Sequence, residues 1–231
     1  MAAISTSIQL VFIFTTLATL LCFYKITKSS KQLAGILIWM AVVGILGYLG
    51  FYRVQNSIPP RFVFLLGPGI LFVIVYFLLA RNRTVHNEQH LRWLTLLHTV
   101  RIPVEIVLFY VFIEGLIPDL MTFDGYNFDI LSGISAPIMY YAIFVKKWIS
   151  KKGLLLWNFI CLGLLINILT IAVLSAQTPI QQFAFDQPNI GVTYFPLVWL
   201  PAVIVPIVLY SHLASIKILQ EVRNKNTSDN R

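Results

Sequence analysis

Three ionisable side chains, His98, Arg101 and Glu105, stand in an otherwise apolar run from about Leu91 to Ile113. Arg101 lies three residues after His98 and Glu105 seven, so all three share one face of a helix. An imidazole, a guanidinium and a carboxylate on one face suit two kinds of chemistry. Arg101 can hold an anionic group, and Glu105 with His98 can move a proton as acid and base. Pro103 lies in the same turns and has no N–H, which frees the carbonyl of Thr99. In hydrocarbon an Arg costs about 2.5–3.5 kcal/mol on insertion scales, and such residues mark functional sites by default. The plainer alternative is an ion pair between Arg101 and Glu105, with His98 bonded to a carbonyl.

The elements that carry this face are apolar blocks. Of the 231 residues, 58% are hydrophobic and 11% charged, unlike an ordinary soluble domain. About 20 apolar residues cross a bilayer. Blocks of that kind fall at about Ser7–Tyr24, Gln32–Tyr52, Phe62–Ala80, Leu91–Ile113, Ile130–Val145, Gly153–Ser175 and Thr193–Leu213. The predicted fold is therefore all-α: a polytopic membrane protein with a seven-transmembrane-helix bundle over residues 1–216. A basic tail, 217–231, starts helical and ends disordered. The first block lacks a basic leader and is followed by Lys25, Lys28 and Lys31, so it reads as a retained span. Gly35, Ala41, Gly44, Gly47 and Gly50 let the second helix approach its neighbours closely. Gly67-Pro68-Gly69 predicts a distortion in the third, and Pro196, Pro201 and Pro206 a bent seventh.

The net charge of +8 is not a nucleic-acid signature, because the basic residues sit in alternate loops. One set of ends holds Lys25, Lys28, Lys31, Arg81, Arg83, Arg92, four lysines between 146 and 152, Lys217, Arg223, Lys225 and Arg231. The opposite ends hold only Arg53 and Arg61. The positive-inside rule then puts the N-terminus outside and the C-terminus in the cytoplasm of a multi-pass cell-membrane protein. The lipid bilayer is the expected partner and nucleic acid is excluded.

This orientation gathers three unusual loops on the outer side. Residues 53–61 carry Arg53 and Arg61, stiffened by Pro59-Pro60. Residues 114–129 carry Glu114, Asp119, Asp124, Asn127 and Asp129, with Asp124-Gly125 a turn signal. Residues 176–192 carry Asp186 and Asn189. Asp124, Asn127 and Asp129 are hard oxygen donors, but the acids are few for a protein-only calcium cage, so the loop reads as a lid. His86 and His90 have a chelating spacing without a third ligand, and read as a solvated turn. No metal site is assigned, and no pattern names a cofactor. Asn158 and Asn167 read as interhelical hydrogen-bonding groups and also as pocket candidates. Trp199 reads as packing and His212 as an interfacial residue at the far end of the last span. Cys22 and Cys161 fall in separate spans and read as packing.

In span number the chain resembles the rhodopsins, but its last span has no lysine for retinal. In size it is similar to membrane terpene cyclases, whose chemistry needs an acid such as Glu105 or Asp129. None of their motifs is matched, so this is fold-level analogy and assigns no family. The expected function is a binding protein or sensor. Its outward-facing polar pocket, with Arg101, Arg53, Arg61, Asp124, Asn127, Asn158, Asp186 and Asn189, takes a small anionic or lipid-like ligand. The alternatives are an intramembrane enzyme on a lipid or isoprenoid, using Glu105, His98 and Asp129, and a proton-coupled carrier. Oligomeric state is not legible.

Overall fold

The structure is a computed structural model that describes residues 4–54, 57, 59–79 and 88–228, the last six without side chains. Seven helices are present among the described residues, in chain order α1 Thr6–Thr27, α2 Ser30–Tyr48, α3 Val63–Leu79, α4 Glu88–Ile113, α5 Ile130–Val145, α6 Lys151–Leu174 and α7 Leu200–Ser228. Five of them, α1, α2, α4, α6 and α7, are long and apolar enough to cross a membrane, while α3 and α5 are shorter apolar helices. Large apolar side chains such as Phe14, Leu21, Ile38, Phe72 and Ile138 point outward. A soluble protein rarely exposes so continuous an apolar surface, whereas hydrocarbon favours it.

α7 is the central element. It contacts α1, α2, α3, α4 and α6, and is the most deeply buried of the long helices. Its start differs from the sequence-based boundary. Residues 191–198 form a 3₁₀ turn, a bend and further turns, and the helix starts at Trp199–Leu200 with a π-turn over Leu200–Ile204. Pro196 and Pro201 lack the N–H groups that an earlier helical start would need. Helix then continues through Val205–Ser228. His212, expected near an interface, therefore sits well inside the helix and is fully buried.

Each proline leaves a carbonyl to be satisfied, and the bundle supplies other donors. Pro206 cannot donate to Ala202, whose carbonyl instead accepts Trp39 Nε1 at 3.1 Å. Trp199 Nε1 returns the contact by donating to Met40 O at 3.0 Å. α2 and α7 are thus joined by two crossed indole bonds. Gly69 on α3 admits the ring of Pro206, which a side chain there would strike. The distortion expected at Gly67-Pro68-Gly69 does not break α3, which runs unbroken from Val63 to Leu79 with Pro68 inside it.

α4 is broken where the sequence suggested. Its α-helical parts, Glu88–Leu97 and Arg101–Ile113, flank a 3₁₀ turn at His98–Val100. Pro103 explains it, since a missing donor four residues on relaxes the preceding turn. α2 ends at Tyr48, earlier than expected, because Gly50 turns the chain with φ +76° into a 3₁₀ turn at Phe51–Arg53. A Cβ at Gly50 would also lie 2.6 Å from the Arg53 guanidinium, so only glycine leaves Arg53 where it is.

The two long loops are stitched together. Ile190 and Gly191 donate their N–H groups to Leu116 O at 3.0 and 2.7 Å. Gln187 Nε2 donates to Phe112 O and Ile117 O at 3.0 and 2.5 Å. Asn167 Nδ2 on α6 donates to Tyr126 O at 2.9 Å. The result is one hydrogen-bonded layer formed by both loops.

α5 meets the break in α4 at Gly133. A Cβ there would lie 2.9 Å from Ile102 Cγ1 and 3.0 Å from the Ile102 backbone nitrogen. Gly133→Val is expected to destabilise the protein by about 1–3 kcal/mol through overpacking. Gly163→Ala, where no atom lies within 4 Å, is expected to leave stability unchanged or raised. Thermal denaturation of the two variants in detergent checks the contrast.

Candidate functional site

The inward face of α4 carries His98, Arg101 and Glu105, which are 0%, 2% and 2% exposed. They lie on one buried side, as their spacing required. Their partners are not the ones the spacing suggested. Arg101 does not pair with Glu105 one turn away on its own helix. Its Nη1 donates to Asp129 Oδ1 at 2.6 Å, across to the start of α5. Asp129 lies at a helix N-terminus, where the backbone dipoles also favour a carboxylate. Ser132 Oγ approaches the same oxygen at 3.5 Å.

Glu105 is taken by a different group. Asn127 Nδ2 donates to Glu105 Oε2 at 2.5 Å and to Met121 O at 3.0 Å. The Asn127 oxygen accepts from the Asp129 N–H at 3.1 Å, closing an Asx turn. One amide thus spaces the two carboxylates and positions both.

On the other side, Arg101 Nη2 lies 3.2 Å from His212 Nε2 on α7. The tautomer follows from the chain of donors. Asn158 Nδ2 donates to Leu154 O at 2.9 Å, so Asn158 Oδ1 faces His212 Nδ1, 3.0 Å away. Nδ1 must then carry the hydrogen, which leaves Nε2 a lone pair for the guanidinium. His98 stacks on the His212 ring at 3.9 Å between centroids and 19° between planes. Trp157 meets His98 edge-on at 5.5 Å, and donates its own Nε1 to Ser135 Oγ at 2.9 Å. Neither ring nitrogen of His98 has a hydrogen-bond partner, so the expected carbonyl bond is absent. Arg101 Nε is also buried without one.

An inner chamber adjoins this cluster, and an outer one shares two wall residues with it. The inner one has a volume of about 70 Å³ and mostly apolar walls, including Leu66, Val104, Leu108, Leu165, Ile168 and Ile204, with Arg101, Glu105 and Asp129 among its lining. The outer one, about 120 Å³, is lined by Tyr52, Arg53, Pro60, Arg61, Thr178, Thr193 and Tyr194. Phe62 and Asn189 belong to the walls of both. The Arg53 guanidinium lies over the Tyr194 ring at 4.9 Å and that of Arg61 over Phe51 at 4.5 Å. Arg61 Nη1 also donates to Phe51 O at 3.2 Å. Among the described residues neither guanidinium has a carboxylate partner.

A domain of unknown function, DUF8737, matches residues 58–220. The chain belongs to the DUF8737 family. No curated protein and no solved structure matches it. The DUF8737 stretch contains the whole buried cluster from His98 to His212, together with Arg61 and Asn189. Arg53, α1 and α2 lie before it.

The sequence-derived site residues thus separate into groups. His98, Arg101, Glu105, Asn127, Asp129 and Asn158 form the cluster. Arg53, Arg61 and Asn189 line the outer chamber, and Asn189 reaches the inner one. Asp124 and Asp186 are exposed and line neither chamber, because their loops turn these acids to the surface. Asp124, Asn127 and Asp129 do not converge, since the latter two are engaged by Glu105 and Arg101. Among the described residues no three His, Cys, Asp or Glu side chains form a metal-ligating group. His86 lies outside the described residues, as do Arg81 and Arg83. His212 was missed as a site residue, and so were the wall residues Phe62 and Ile204. A histidine amid apolar neighbours was the one available signal.

Breaking a buried pair by removing one partner costs about 3–5 kcal/mol, whereas replacing both by apolar groups is often neutral. Asp129→Ala is accordingly expected to destabilise the protein strongly, and the double variant Arg101→Met, Asp129→Leu much less. Equilibrium unfolding in mixed micelles measures the difference.

Proposed function

We propose that this protein crosses the membrane seven times, with its N-terminus outside, and binds a small amphipathic anion entering from the extracytoplasmic side. The short helices are compatible with seven crossings. At 1.5 Å per residue, the 17 residues of α3 span about 25 Å, close to a hydrocarbon core of about 30 Å. The distribution of lysine and arginine supports the orientation. Impermeant maleimide should label Ser57→Cys in intact cells, and Lys147→Cys only after permeabilisation, in a background lacking Cys22 and Cys161. The reverse pattern would invert the site.

The observation that carries the binding proposal is the pair of adjoining chambers. The outer one presents two guanidinium groups held against aromatic faces and, among the described residues, without a carboxylate partner, which suits them to an oxyanion. The inner one, beyond Phe62 and Asn189, offers apolar walls. An anionic head in the first and a short apolar part in the second match this polarity. Size restricts the ligand further. The two volumes, about 120 and 70 Å³, fall below the roughly 300–1,000 Å³ of drug-sized sites, so the occupant has few heavy atoms.

Butyrate, hexanoate and butyl phosphate are suitable probes for the full-length protein in lipid nanodiscs. Arg53→Ala and Arg61→Ala are each expected to weaken binding by about tenfold or more, as the loss of a charge-assisted bond would. Calorimetry reads the affinities. Undiminished binding by both variants would remove the outer chamber from the proposal.

A further inference from the structure

The inner chamber carries an unequal set of charges. Its lining brings together two carboxylates, Glu105 and Asp129, and one guanidinium, Arg101. Arg101 is committed to Asp129 at 2.6 Å and to His212 at 3.2 Å. Glu105 has the Asn127 amide, which is a donor but not a charge. The neighbouring imidazoles do not make up the difference. His212 turns a lone pair toward Arg101, as the Asn158 and Leu154 contacts require. His98 lies flat against His212 at 3.9 Å, so a proton on it would place a second cation beside the guanidinium. With both carboxylates ionised, the set holds one negative charge in excess, next to a chamber with apolar walls. An uncompensated charge in such surroundings costs several kcal/mol, which a single positive charge at the carboxylate would remove.

We propose that Glu105 is a binding site for one positive charge, delivered either as a proton or as the ammonium end of an occupant whose anionic end rests on Arg53 and Arg61. The ammonium route rests on the anion-binding proposal above, and the proton route does not. In the ammonium form the ligand is a short zwitterion. Its carboxylate or phosphate lies in the outer chamber, its chain passes Phe62 and Asn189, and its cation ends at Glu105. In the proton form Glu105 is neutral, and the chamber receives an uncharged tail.

Two measurements on the full-length protein in nanodiscs separate these. Infrared spectroscopy at neutral pH, without ligand, looks for a protonated carboxyl C=O band that is absent from Glu105→Gln. Should that variant fail to fold, a ¹³C-glutamate isotope shift of the band in the unaltered protein places it on a glutamate, and of the four, Glu88, Glu105, Glu114 and Glu221, Glu105 alone is buried. Calorimetry then compares butyrate with 4-aminobutyrate. The proton route expects the infrared band, with butyrate bound at least as tightly as its amino analogue. The ammonium route expects no such band, a preference for 4-aminobutyrate of about tenfold or more, and loss of that preference in Glu105→Gln. The band present with neither compound bound would sustain the positive-charge site and overturn the anion-binding proposal. Absence of both band and preference would overturn the inference.

Discussion

A guanidinium set in the middle of an apolar bundle has to be matched by an anion, and here the match is made across helices. Arg101 reaches Asp129 at 2.6 Å, at the start of a different helix. Much of the local architecture follows from that bond. α5 must begin beside α4, and Gly133 lets it come close enough. The loop before α5 must turn tightly, and the Asn127 side chain makes the turn while bonding Glu105. The remaining edge of the guanidinium needs an acceptor, which fixes the tautomer of His212 and through it the role of Asn158. A surface ion pair would impose none of this, because water would satisfy whatever the partners left over.

The same demand for satisfied polar groups governs the backbone. Prolines in α4 and α7 remove donors that water cannot replace in hydrocarbon. The chain answers with a 3₁₀ turn before Pro103 and with the Trp39 indole on the Ala202 carbonyl. One irregular turn, the π-turn of α7, lies at the inner chamber, which Leu200, Pro201 and Ile204 line, while the 3₁₀ turn holds the buried His98 ring.

Functionally, the distribution of charge says more than its amount. The outer chamber is cationic and held by aromatic faces, while the inner one is apolar with an excess of carboxylate. That gradient, over chambers sharing Phe62 and Asn189, supports the proposed binding of a small amphipathic anion. The DUF8737 stretch spans residues 58–220 and so includes both the ion pair and the shared wall.

The sequence alone determined the all-α class, the helix-rich apolar blocks, the shared face of His98, Arg101 and Glu105, and the break at Pro103. Each depends on spacing along one chain or on a missing N–H, and both are local quantities. It also marked most of the buried polar residues, since a charge or amide inside an apolar run is conspicuous. Tertiary structure decided who pairs with whom. Arg101 had an acid four residues away, yet took one 28 residues away, because helix packing set which carboxylate faced it. His212 looked peripheral until the prolines before it moved the start of α7 to Leu200 and carried it inward. Asp124 and Asp186 looked like site residues by composition, but loop geometry turned them outward. Pairing across a bundle depends on the relative rotation and depth of helices, and no spacing within a single helix encodes either.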